Sequence, residues 1–513
     1  MSKLDWRNRA CAAVLLCVTT AIGLSAQTFK TLHRFDGTDG ANPHGALVQA
    51  TGGNLYGTTY GGGANGNGTV FKISPNGGPV KTFYSFCSRS GCLDGVNPEA
   101  GLVQGIGGNF YGTTVEGGNQ ATTCGFFGCG TVFKITPSGT LTTLYKFCSQ
   151  SGCTDGAFPA AGLVQATDGN FYGTTESGGS NNGCGGTGGC GTVFKVTPTG
   201  TLTTVYRFCS QSGCTDGDGP EAGLVQGTGG NFYGTTVFGG TAGCAFDDGC
   251  GTVFKITPSG ALTTLYRFCA QSGCTDGSYP SGLVQATDGN LHGTTGGGGA
   301  NGGGGTVFRI TPSATLTTLY SFCSESDCTD GADPAGLVQA TDGNFYGTTS
   351  GGGVNGTDCG SGGCGTVFKI TPSGTLTTLY SFCPQGRVCE DGRAPVGLVQ
   401  DTNGMFYGTT AIGAHISDCR SVGCGTIFSL SVGLGPFVKT QPASARVGGF
   451  VEILGTNLTG ATSVSFNGTP AVFRVVLNSL IKTTVPAGAT TGTVQAVTPG
   501  GTLSSNVPFR VRP

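Results

Sequence analysis

The sequence predicts an all-β protein, a seven-bladed β-propeller followed by a smaller β-sandwich. The tripeptide Leu-Val-Gln recurs seven times at spacings of 55, 61, 61, 59, 54 and 61 residues, a period typical of propellers and solenoids. Each period holds four short runs rich in Thr, Val, Phe and Tyr and bounded by Gly, Pro, Asn and Asp. Because this composition favours strands and no helical apolar spacing lies between the runs, we expect four antiparallel strands per repeat.

The repeat at residues 140–198 shows the four strands. Gly-Leu-Val-Gln at residues 162–165 is the inner strand A, residues 170–175 are strand B, and residues 192–197 are strand C. The outer strand D is the type of run seen at residues 141–147. Seven such repeats lie within the usual range of four to eight blades.

Glycine-containing dipeptides join strand A to strand B in all seven repeats, as Gly-Gly, Asp-Gly or Asn-Gly. They predict two-residue hairpins of the primed type, which need positive φ at both central positions. Pro-Ser-Gly or a near variant joins strand C to the next strand D, as at Pro137 and Pro198, because proline presets φ for a turn.

The two ends of the repeat region are permuted. Residues 28–35 are a D-type run, whereas the last repeat stops after a C-type run at residues 425–430. We therefore expect the N-terminal strand to complete the last blade and to close the ring without open edges. The alternative is an open β-solenoid.

The repeats resemble the GloVer-type (Gloeo/Verruco) tandem repeat of secreted bacterial proteins. The phrases that establish this similarity recur seven times over residues 28–431, in the forms Gly-Leu-Val-Gln, Asp-Gly-Asn-Phe-Tyr-Gly-Thr-Thr and Gly-Thr-Val-Phe-Lys. The resemblance implies a cell-surface or secreted propeller and no assigned activity.

Residues 1–26 have the pattern of a secretory signal peptide. A basic segment precedes an apolar run at residues 10–24, and Ser25-Ala26 offers a small-residue cleavage site. A lipoprotein anchored at Cys17 is the alternative. No later run predicts a membrane helix, and the net charge of −2 argues against a basic nucleic-acid face. We expect a secreted, periplasmic or surface protein, a monomer, with no cofactor.

Apart from Cys11 and Cys17, the cysteines form eleven close pairs, and where a pair is missing both members are missing. Because the two cysteines of a pair are absent together, we predict a disulfide within each pair, which suits an oxidising compartment. Cross-pairing between loops and zinc sites built from two neighbouring pairs are the alternatives. The D-to-A loops contain Cys87/Cys92, Cys148/Cys153, Cys209/Cys214, Cys269/Cys274, Cys323/Cys328 and Cys383/Cys389. The B-to-C loops contain Cys124/Cys129, Cys184/Cys190, Cys244/Cys250, Cys359/Cys364 and Cys419/Cys424.

In a four-stranded blade, the D-to-A and B-to-C loops emerge on one face. That face holds every cysteine pair and nearly all the sequence variation, whereas the opposite face has only short turns. Because binding residues concentrate on loops held by a rigid scaffold, we predict that the loop face is functional. The alternative is that this face merely tolerates insertions.

A different domain follows a linker at residues 432–436. Residues 437–513 contain the phrases Gly-Phe-Val-Glu-Ile-Leu-Gly-Thr-Asn-Leu, Val-Ser-Phe-Asn-Gly-Thr and Thr-Pro-Gly-Gly-Thr. These phrases resemble an IPT/TIG domain, which implies an immunoglobulin-like sandwich acting as a spacer or adhesive unit. Short alternating strands support a sandwich independently.

Two sets of residues are candidate ligand contacts. An Asp-Gly follows each D-to-A cysteine pair, and a ring of carboxylates could bind Ca²⁺ or a cationic group, although Asp-Gly is also ordinary turn chemistry. The strand-B tyrosine is replaced in the fifth repeat by His292, and a repeated strand aromatic usually lies in the core between blades. The candidates are Asp94, Asp155, Asp216, Asp276, Asp330, Asp391 and His292, with Asp39 as the counterpart in the first repeat.

Three functions remain open at this point. The first is a binding or adhesion module that presents its loop face to a glycan or a surface protein. The second is an extracellular lyase or hydrolase acting on polysaccharide, disfavoured because the blades are nearly identical and no catalytic constellation is present. The third is a structural component of the cell envelope.

Overall fold

The computed structural model describes residues 27–118, 124, 127–179, 189–240, 244, 249–354, 359, 362–384, 389–414, 419 and 423–512. The predicted signal peptide at residues 1–26, Cys184 and parts of the longest B-to-C loops lie outside the described residues. Within the described part of the chain, no helix is long and apolar enough to cross a membrane.

The repeat region consists of antiparallel four-stranded sheets in the predicted order A-B-C-D. Sheet 1 contains β2 (Val48–Gln49), β3 (Leu55–Thr59), β4 (Thr69–Ile73) and β5 (Lys81–Ser85), and sheet 2 contains β6 (Val103–Gln104), β7 (Phe110–Thr114), β8 (Thr131–Ile135) and β9 (Leu141–Lys146). Sheet 3 contains β10 (Val164–Gln165), β11 (Phe171–Thr175), β12 (Thr192–Val196) and β13 (Leu202–Arg207), and sheet 4 contains β14 (Val225–Gln226), β15 (Phe232–Thr236), β16 (Thr252–Ile256) and β17 (Leu262–Arg267). Sheet 5 contains β18 (Ser278–Gln285), β19 (Leu291–Gly297), β20 (Thr306–Ile310) and β21 (Leu316–Ser321), and sheet 6 contains β22 (Ala332–Gln339), β23 (Phe345–Gly351), β24 (Thr366–Ile370) and β25 (Leu376–Ser381).

Sheet 7 combines the two ends of the repeat region. It contains β26 (Arg393–Gln400), β27 (Phe406–Ile412), β28 (Thr426–Ser431) and the N-terminal strand β1 (Thr28–Arg34). β1 pairs with β28 antiparallel, and Phe29 of β1 stacks on Tyr380 of sheet 6 at 3.8 Å between ring centroids. The predicted pairing of the N-terminal run with the last C-type run is therefore present.

The hairpin turns between strands A and B differ from the prediction. In sheet 3 the backbone N–H of Gly169 donates to the carbonyl O of Ala166, and that of Ala166 donates to the carbonyl O of Asn170. Gly169 has φ 85°, whereas Asp168 is not among the residues with positive φ. This is a three-residue loop, in which a turn with negative φ is followed by one left-handed residue, so only one position requires glycine. The two-residue turn predicted from the dipeptides is wrong here.

An edge-to-face aromatic pair joins each sheet to the next. A phenylalanine at the end of strand D meets the strand-C phenylalanine of the following sheet, at 5.1–5.3 Å between centroids. Rings in this arrangement attract one another beyond the effect of area burial. The pairs are Phe35/Phe71, Phe86/Phe133, Phe147/Phe194, Phe208/Phe254, Phe268/Phe308, Phe322/Phe368 and Phe382/Phe428, so the last sheet also contacts the first.

The glutamine of Leu-Val-Gln links neighbouring sheets through hydrogen bonds. Its side-chain Oε1 accepts a backbone N–H from the A-to-B turn of the preceding sheet, at 2.9–3.2 Å. The pairs are Gln104 with Thr51, Gln165 with Ile106, Gln226 with Thr167, Gln285 with Thr228, Gln339 with Thr287, Gln400 with Thr341, and Gln49 of sheet 1 with Thr402 of sheet 7. Together these bonds form a continuous circuit, which we call the glutamine ring.

The C-terminal residues form two further four-stranded sheets. One contains β29 (Lys439–Gln441), β31 (Phe450–Leu454), β35 (Leu480–Thr484) and β34 (Phe473–Leu477), and the other contains β33 (Thr469–Pro470), β32 (Ser463–Phe466), β36 (Val494–Thr498) and β37 (Gly501–Ser504). β30 (Ser444–Arg446) pairs with β38 (Arg510–Arg512) in parallel. Val451 and Ile481 of the first sheet share one apolar core with Val464 and Val494 of the second.

The C-terminal sheets rest on the A-to-B turns of the repeat region. The Ser479 hydroxyl donates to the carbonyl O of Thr51 at 2.8 Å. The Arg512 guanidinium donates to the carbonyl O of Thr167 at 3.2 Å. Within β29, Lys439 donates to the carbonyl O of Gln400 in sheet 7 and Gln441 to that of Gln104 in sheet 2. β29 therefore bridges two sheets that flank sheet 1, at the inner ends of their A strands.

Removing the link of the glutamine ring between the first and last sheets should lower the free energy of unfolding. Gln49→Met keeps the volume of a buried side chain but removes both of its hydrogen bonds to Thr402, one from the Thr402 N–H and one to the Thr402 hydroxyl. The Thr402 N–H keeps the Asp401 carboxylate as an acceptor, so we expect a loss of about 1–2 kcal/mol in the free energy of unfolding. Denaturant unfolding of the purified chain measures this. Gln150→Met, at an exposed glutamine, is the control and should change stability by less than about 0.5 kcal/mol. Equal effects of the two substitutions would contradict the role assigned to Gln49.

Candidate functional site

The loop side of the repeat region is held by disulfides. Among the described residues, ten local pairs are present, each with a sequence separation of five or six residues, and they match the predicted pairing. Cys190 is also disulfide-bonded, and its predicted partner Cys184 lies outside the described residues. A local disulfide restricts the unfolded chain and so stabilises each loop.

The second cysteine of each B-to-C pair is buried, a feature that the predicted loop position did not specify. Cys424 forms the predicted disulfide with Cys419, but it is 0% exposed and lies in the apolar core that contains Phe35 and Ile427. Its sulfur is therefore part of the packing between sheets 7 and 1, and a ligand on the loop face could not contact it. The equivalent cysteines in other sheets are buried in the same way, at Cys129, Cys190, Cys250 and Cys364.

Burial also distinguishes the cysteines of the D-to-A loops from one another. Cys148 and Cys153, like Cys383 and Cys389, are buried. Cys209 and Cys214 are only partly buried and pack against the core of sheets 3 and 4. The reason for burial is that the loops fold back over the ends of the apolar strands, and cysteine is small and apolar enough to fill that space. The disulfides are thus structural elements rather than ligand contacts.

The Asp-Gly aspartates lie inside the loops rather than on their surface. Asp155 is buried, and its carboxylate accepts from the Tyr145 hydroxyl at 2.8 Å and from the backbone N–H groups of Ser149 and Gln150. The same pattern of a tyrosine hydroxyl and a backbone N–H recurs at Asp94, Asp216, Asp276, Asp330 and Asp391. Turn chemistry explains these bonds. Cation binding by the set stays a prediction, and the engagement of the oxygens within each loop argues against it.

The first repeat uses a different arrangement in place of a cysteine pair. Asp39 Oδ2 lies 2.7 Å from His33 Nε2, and its Oδ1 accepts the Asp36 N–H at 3.1 Å. Asp39 therefore also serves its own loop.

The strand-B tyrosines lie between sheets. Tyr56, for example, stacks on Phe110 of the next sheet at 4.2 Å between centroids, and Tyr111 stacks on Phe171 at 3.9 Å. Their rings belong to the apolar packing between sheets, as expected for a repeated strand aromatic.

His292 takes the place of this tyrosine in sheet 5. It is 1% exposed and stacks on Phe345 at 4.1 Å, but within the described chain neither ring nitrogen has a hydrogen-bond partner. The pKa of His292 is lowered to about 4, chiefly by burial; the charge of Asp288 opposes the shift and that of Arg309 adds to it. In sheet 6 the Tyr346 hydroxyl reaches Asp342 at 3.0 Å, a bond that the shorter imidazole does not make with Asp288. The structure therefore places His292 in the core between sheets.

Polar residues of different types lie near one another on the loop side of sheets 1 to 4. His44 Nδ1 lies 3.8 Å from Glu99 Oε1, and the ring of His44 stacks on Tyr60 at 5.3 Å between centroids. Glu176 and Glu221 lie close enough to interact electrostatically with Glu99. We call these five residues the acidic cluster.

The repeats position the acidic cluster beside their inner strands. His44, Glu99 and Glu221 each follow the loop proline that precedes strand A, and Tyr60 and Glu176 each follow the last threonine of strand B. The A strands are innermost, because β18 contacts β22 and β22 contacts β26. A Cβ built on Gly101 would lie 2.4 Å from the carbonyl O of Ala46 in the preceding repeat, so glycine at the start of this strand A permits sheets 1 and 2 to approach closely.

The acidic cluster is electrostatically unusual. Glu221 is solvent-exposed, but desolvation by the surrounding protein, together with the charges of Glu176 and Glu99, raises its pKa to about 7. Burial, followed by the charge of Glu99, also raises the pKa of Glu176. Like charges held together disfavour ionisation, so near neutral pH Glu221 is present both as a carboxylic acid and as a carboxylate. A group of this kind can accept and donate hydrogen bonds to hydroxyl-rich ligands or exchange protons with them.

Sequence reasoning missed this cluster, although a signal was present. The residue after the loop proline is His, Glu, Ala, Glu, Ser, Ala or Val in successive repeats, and the residue after strand B varies as widely. Aligning the repeats position by position would have marked these two columns as the places where unlike polar side chains surround the inner strands.

Similar proteins are known from sequence and from structure. The sequence model of the Gloeobacter/Verrucomicrobia repeat matches residues 18–184 and 184–358. No curated protein sequence matches the chain. A fungal alcohol oxidase of the AA5 family, in complex with copper, has a similar fold, with a TM-score of 0.51 and 13% identity over 95% of this chain and 99% of its own.

Two bacterial structures are also similar over much of the chain. One is the extracellular domain of a protein assigned as a hybrid two-component system from B. thetaiotaomicron, with 11% identity, a TM-score of 0.48 and coverage of 95% of this chain and 60% of that one. The other is PorZ, a surface component of the type-IX secretion system of Porphyromonas gingivalis, with 12% identity, a TM-score of 0.43 and coverage of 90% and 58%. At these identities the likeness concerns the fold alone.

His292 leads to a prediction about acid stability. Its folded-state pKa is below the ordinary value, so the unfolded chain binds the proton more readily and stability falls as pH decreases from about 6.5 towards 4. We expect His292→Tyr to raise the free energy of unfolding by about 1–2 kcal/mol at neutral pH, because the hydroxyl can reach Asp288, and to lessen the acid loss. Thermal unfolding between pH 4 and 8 measures both effects.

The reverse substitution in sheet 6 provides the matched control. Tyr346→His should lower stability and introduce the same acid sensitivity, because it removes the bond to Asp342. A shift of stability in the same direction by both substitutions would contradict the assignment of His292 as a buried imidazole without a hydrogen-bond partner.

Proposed function

The chain belongs to the Gloeobacter/Verrucomicrobia repeat family, and we propose that it is an exported protein that binds a ligand at the bacterial cell surface or outside the cell. Residues 1–26 act as the signal peptide. The many disulfides support export, because such bonds form and persist in oxidising compartments.

We propose that residues 27–431 form a closed seven-bladed β-propeller. The pairing of β1 with β28 and the glutamine ring support closure, because both join the first segment of the region to the last. Residues 432–436 act as the linker, and residues 437–513 act as an IPT/TIG domain. The core shared between its two sheets supports an immunoglobulin-like sandwich that serves as a spacer.

The observation that supports binding most directly is the acidic cluster. In a ring of near-identical sheets, His44, Tyr60, Glu99, Glu176 and Glu221 are side chains that differ from sheet to sheet and converge on one side. Carboxylates accept hydrogen bonds from paired hydroxyls, and the stacked His44 and Tyr60 rings offer a flat face to a sugar. A neutral or amino-substituted glycan is therefore the proposed ligand, and the loop side is the proposed binding face.

An enzyme acting on extracellular polysaccharide is the second candidate, and one observation favours it. Glu221, with a pKa of about 7, lies close enough to Glu176 and Glu99 to interact electrostatically with both carboxyl groups. Glycoside hydrolases use such a pair, in which the group of raised pKa donates the proton to the leaving oxygen. A purely structural envelope role would need neither feature.

A glycan array probed with residues 27–513 tests the proposed function. We expect retention of one class of glycan, with binding at least about tenfold weaker in Glu99→Gln and Glu176→Gln. Retention should increase as pH rises through about 7 in the parent chain, because ionised Glu221 is the stronger acceptor, and should lose this dependence in Glu221→Gln. Glu325→Gln, at an exposed residue of a loop leaving sheet 5, is the control and should bind normally.

Other outcomes distinguish the alternatives. Release of new reducing ends from a retained polysaccharide, abolished by Glu221→Gln, would establish the enzyme instead. Failure to retain any glycan or envelope fraction, with the chain folded, would leave the structural role and refute binding.

A further inference from the structure

Cysteines from two loops gather into four-sulfur clusters. In sheet 2, the pair in the B-to-C loop lies beside the pair in the loop that leaves the same sheet, and all four Sγ atoms lie within 4.8 Å of one another. The same arrangement recurs in sheets 4 and 6. The three complete clusters are Cys124, Cys129, Cys148 and Cys153; Cys244, Cys250, Cys269 and Cys274; and Cys359, Cys364, Cys383 and Cys389.

The sulfur spacing across the loops matches a tetrahedral metal site. Cys244 Sγ lies 3.6 Å from Cys269 Sγ, and Cys364 Sγ lies 3.9 Å from Cys389 Sγ. Four thiolates around Zn²⁺ at about 2.3 Å each are separated by about 3.8 Å along the edges of the tetrahedron. One sulfur from each loop thus lies close to the edge length of such a tetrahedron, whereas the two sulfurs within a loop are joined by a disulfide and must separate on reduction.

The surroundings of the sulfurs also suit a bound ion. Cys129, Cys250 and Cys364 are at most 1% exposed, and each belongs to an apolar core cluster. A buried thiolate is costly without a counter-charge, and a soft d¹⁰ ion supplies one while excluding water.

From this arrangement we propose that each complete four-cysteine cluster is a redox-controlled metal site: its reduced form binds one Zn²⁺ through four thiolates. In the oxidised form the four sulfurs are two disulfides and coordinate nothing. Reduction by an external thiol such as glutathione transfers four electrons to the two disulfides, and the four thiols then formed release four protons as the ion binds. In the reverse direction, two molecules of a disulfide such as oxidised glutathione accept the four electrons and take up four protons to become thiols, the two protein disulfides form again, and Zn²⁺ is released.

The chain contains its own control for this proposal. Cys87 and Cys92, like Cys323 and Cys328, form a pair with the same separation in the same kind of loop, but the neighbouring B-to-C loop has no cysteine. At Cys323 the neighbour is Gly304, where a built Cβ would lie 2.6 Å from the Sγ atom. These isolated pairs offer two sulfurs and should hold no tetrathiolate ion.

The experiment compares matched double substitutions in the otherwise complete chain. The protein is reduced under anaerobic conditions, loaded with Zn²⁺, and freed of loosely held metal, and bound zinc is counted after release. We expect Cys148→Ser/Cys153→Ser and Cys269→Ser/Cys274→Ser each to lose one zinc per chain relative to the parent. Cys323→Ser/Cys328→Ser should lose none, and the oxidised parent should bind none.

Cobalt substitution supplies a readout that does not depend on stoichiometry. Co²⁺ in the reduced chain should show the sulfur-to-metal charge-transfer and intense ligand-field absorption of a tetrahedral tetrathiolate, and the two cluster variants should each reduce its amplitude. Equal metal content in cluster and isolated-pair variants, an octahedral cobalt spectrum, or metal retained by the oxidised chain would each overturn the proposal. Circular dichroism on each variant shows whether a loss of bound metal comes from misfolding. A cluster variant that keeps both the parent's β-sheet spectrum and its full zinc content also overturns the proposal.

Discussion

The hydrogen bond from the A-to-B turn of one sheet to the glutamine of the next is the interaction on which the rest of the repeat region depends. It fixes the distance and rotation between neighbouring sheets, since the acceptor lies at the end of the innermost strand. The same bond between Thr402 and Gln49 joins the last sheet to the first. With this geometry set, the edge-to-face phenylalanines between sheets fill a space that is equivalent in every repeat.

Near-identical repeats produce a scaffold, and the departures from identity are where specific chemistry arises. The loop proline keeps its backbone position while the next residue changes from His44 to Glu99 to Glu221. Sheet 7 departs in another way, because Asp401 stands where other repeats have alanine or glycine. Burial raises the pKa of Asp401 to about 6 and lowers that of the neighbouring Lys439 to about 8, so this departure accompanies the docking of the C-terminal sheets.

Much of the fold could be predicted from the sequence because strand composition and turn residues repeat. The strand order, the local cysteine pairs and the N-terminal strand of sheet 7 follow from residues that recur at fixed offsets. The three-residue turn at Gly169 was missed, since Asp-Gly suits both turn types and only backbone hydrogen bonds distinguish them. The burial of Cys424 was missed because a loop position in the sequence does not reveal whether the loop folds inward. The acidic cluster was missed because its members are 16 to 177 residues apart and none belongs to a motif.

The C-terminal sheets dock on the short turns of several sheets of the repeat region at once. β29 crosses from sheet 7 to sheet 2 over the inner end of sheet 1, and Arg512 extends the contact to sheet 3. Since Ser479 adds a contact to sheet 1, the C-terminal sheets hold turns from both the beginning and the end of the repeat region. They therefore act as an external clamp, and separating the last sheet from the first would also require part of this clamp to detach.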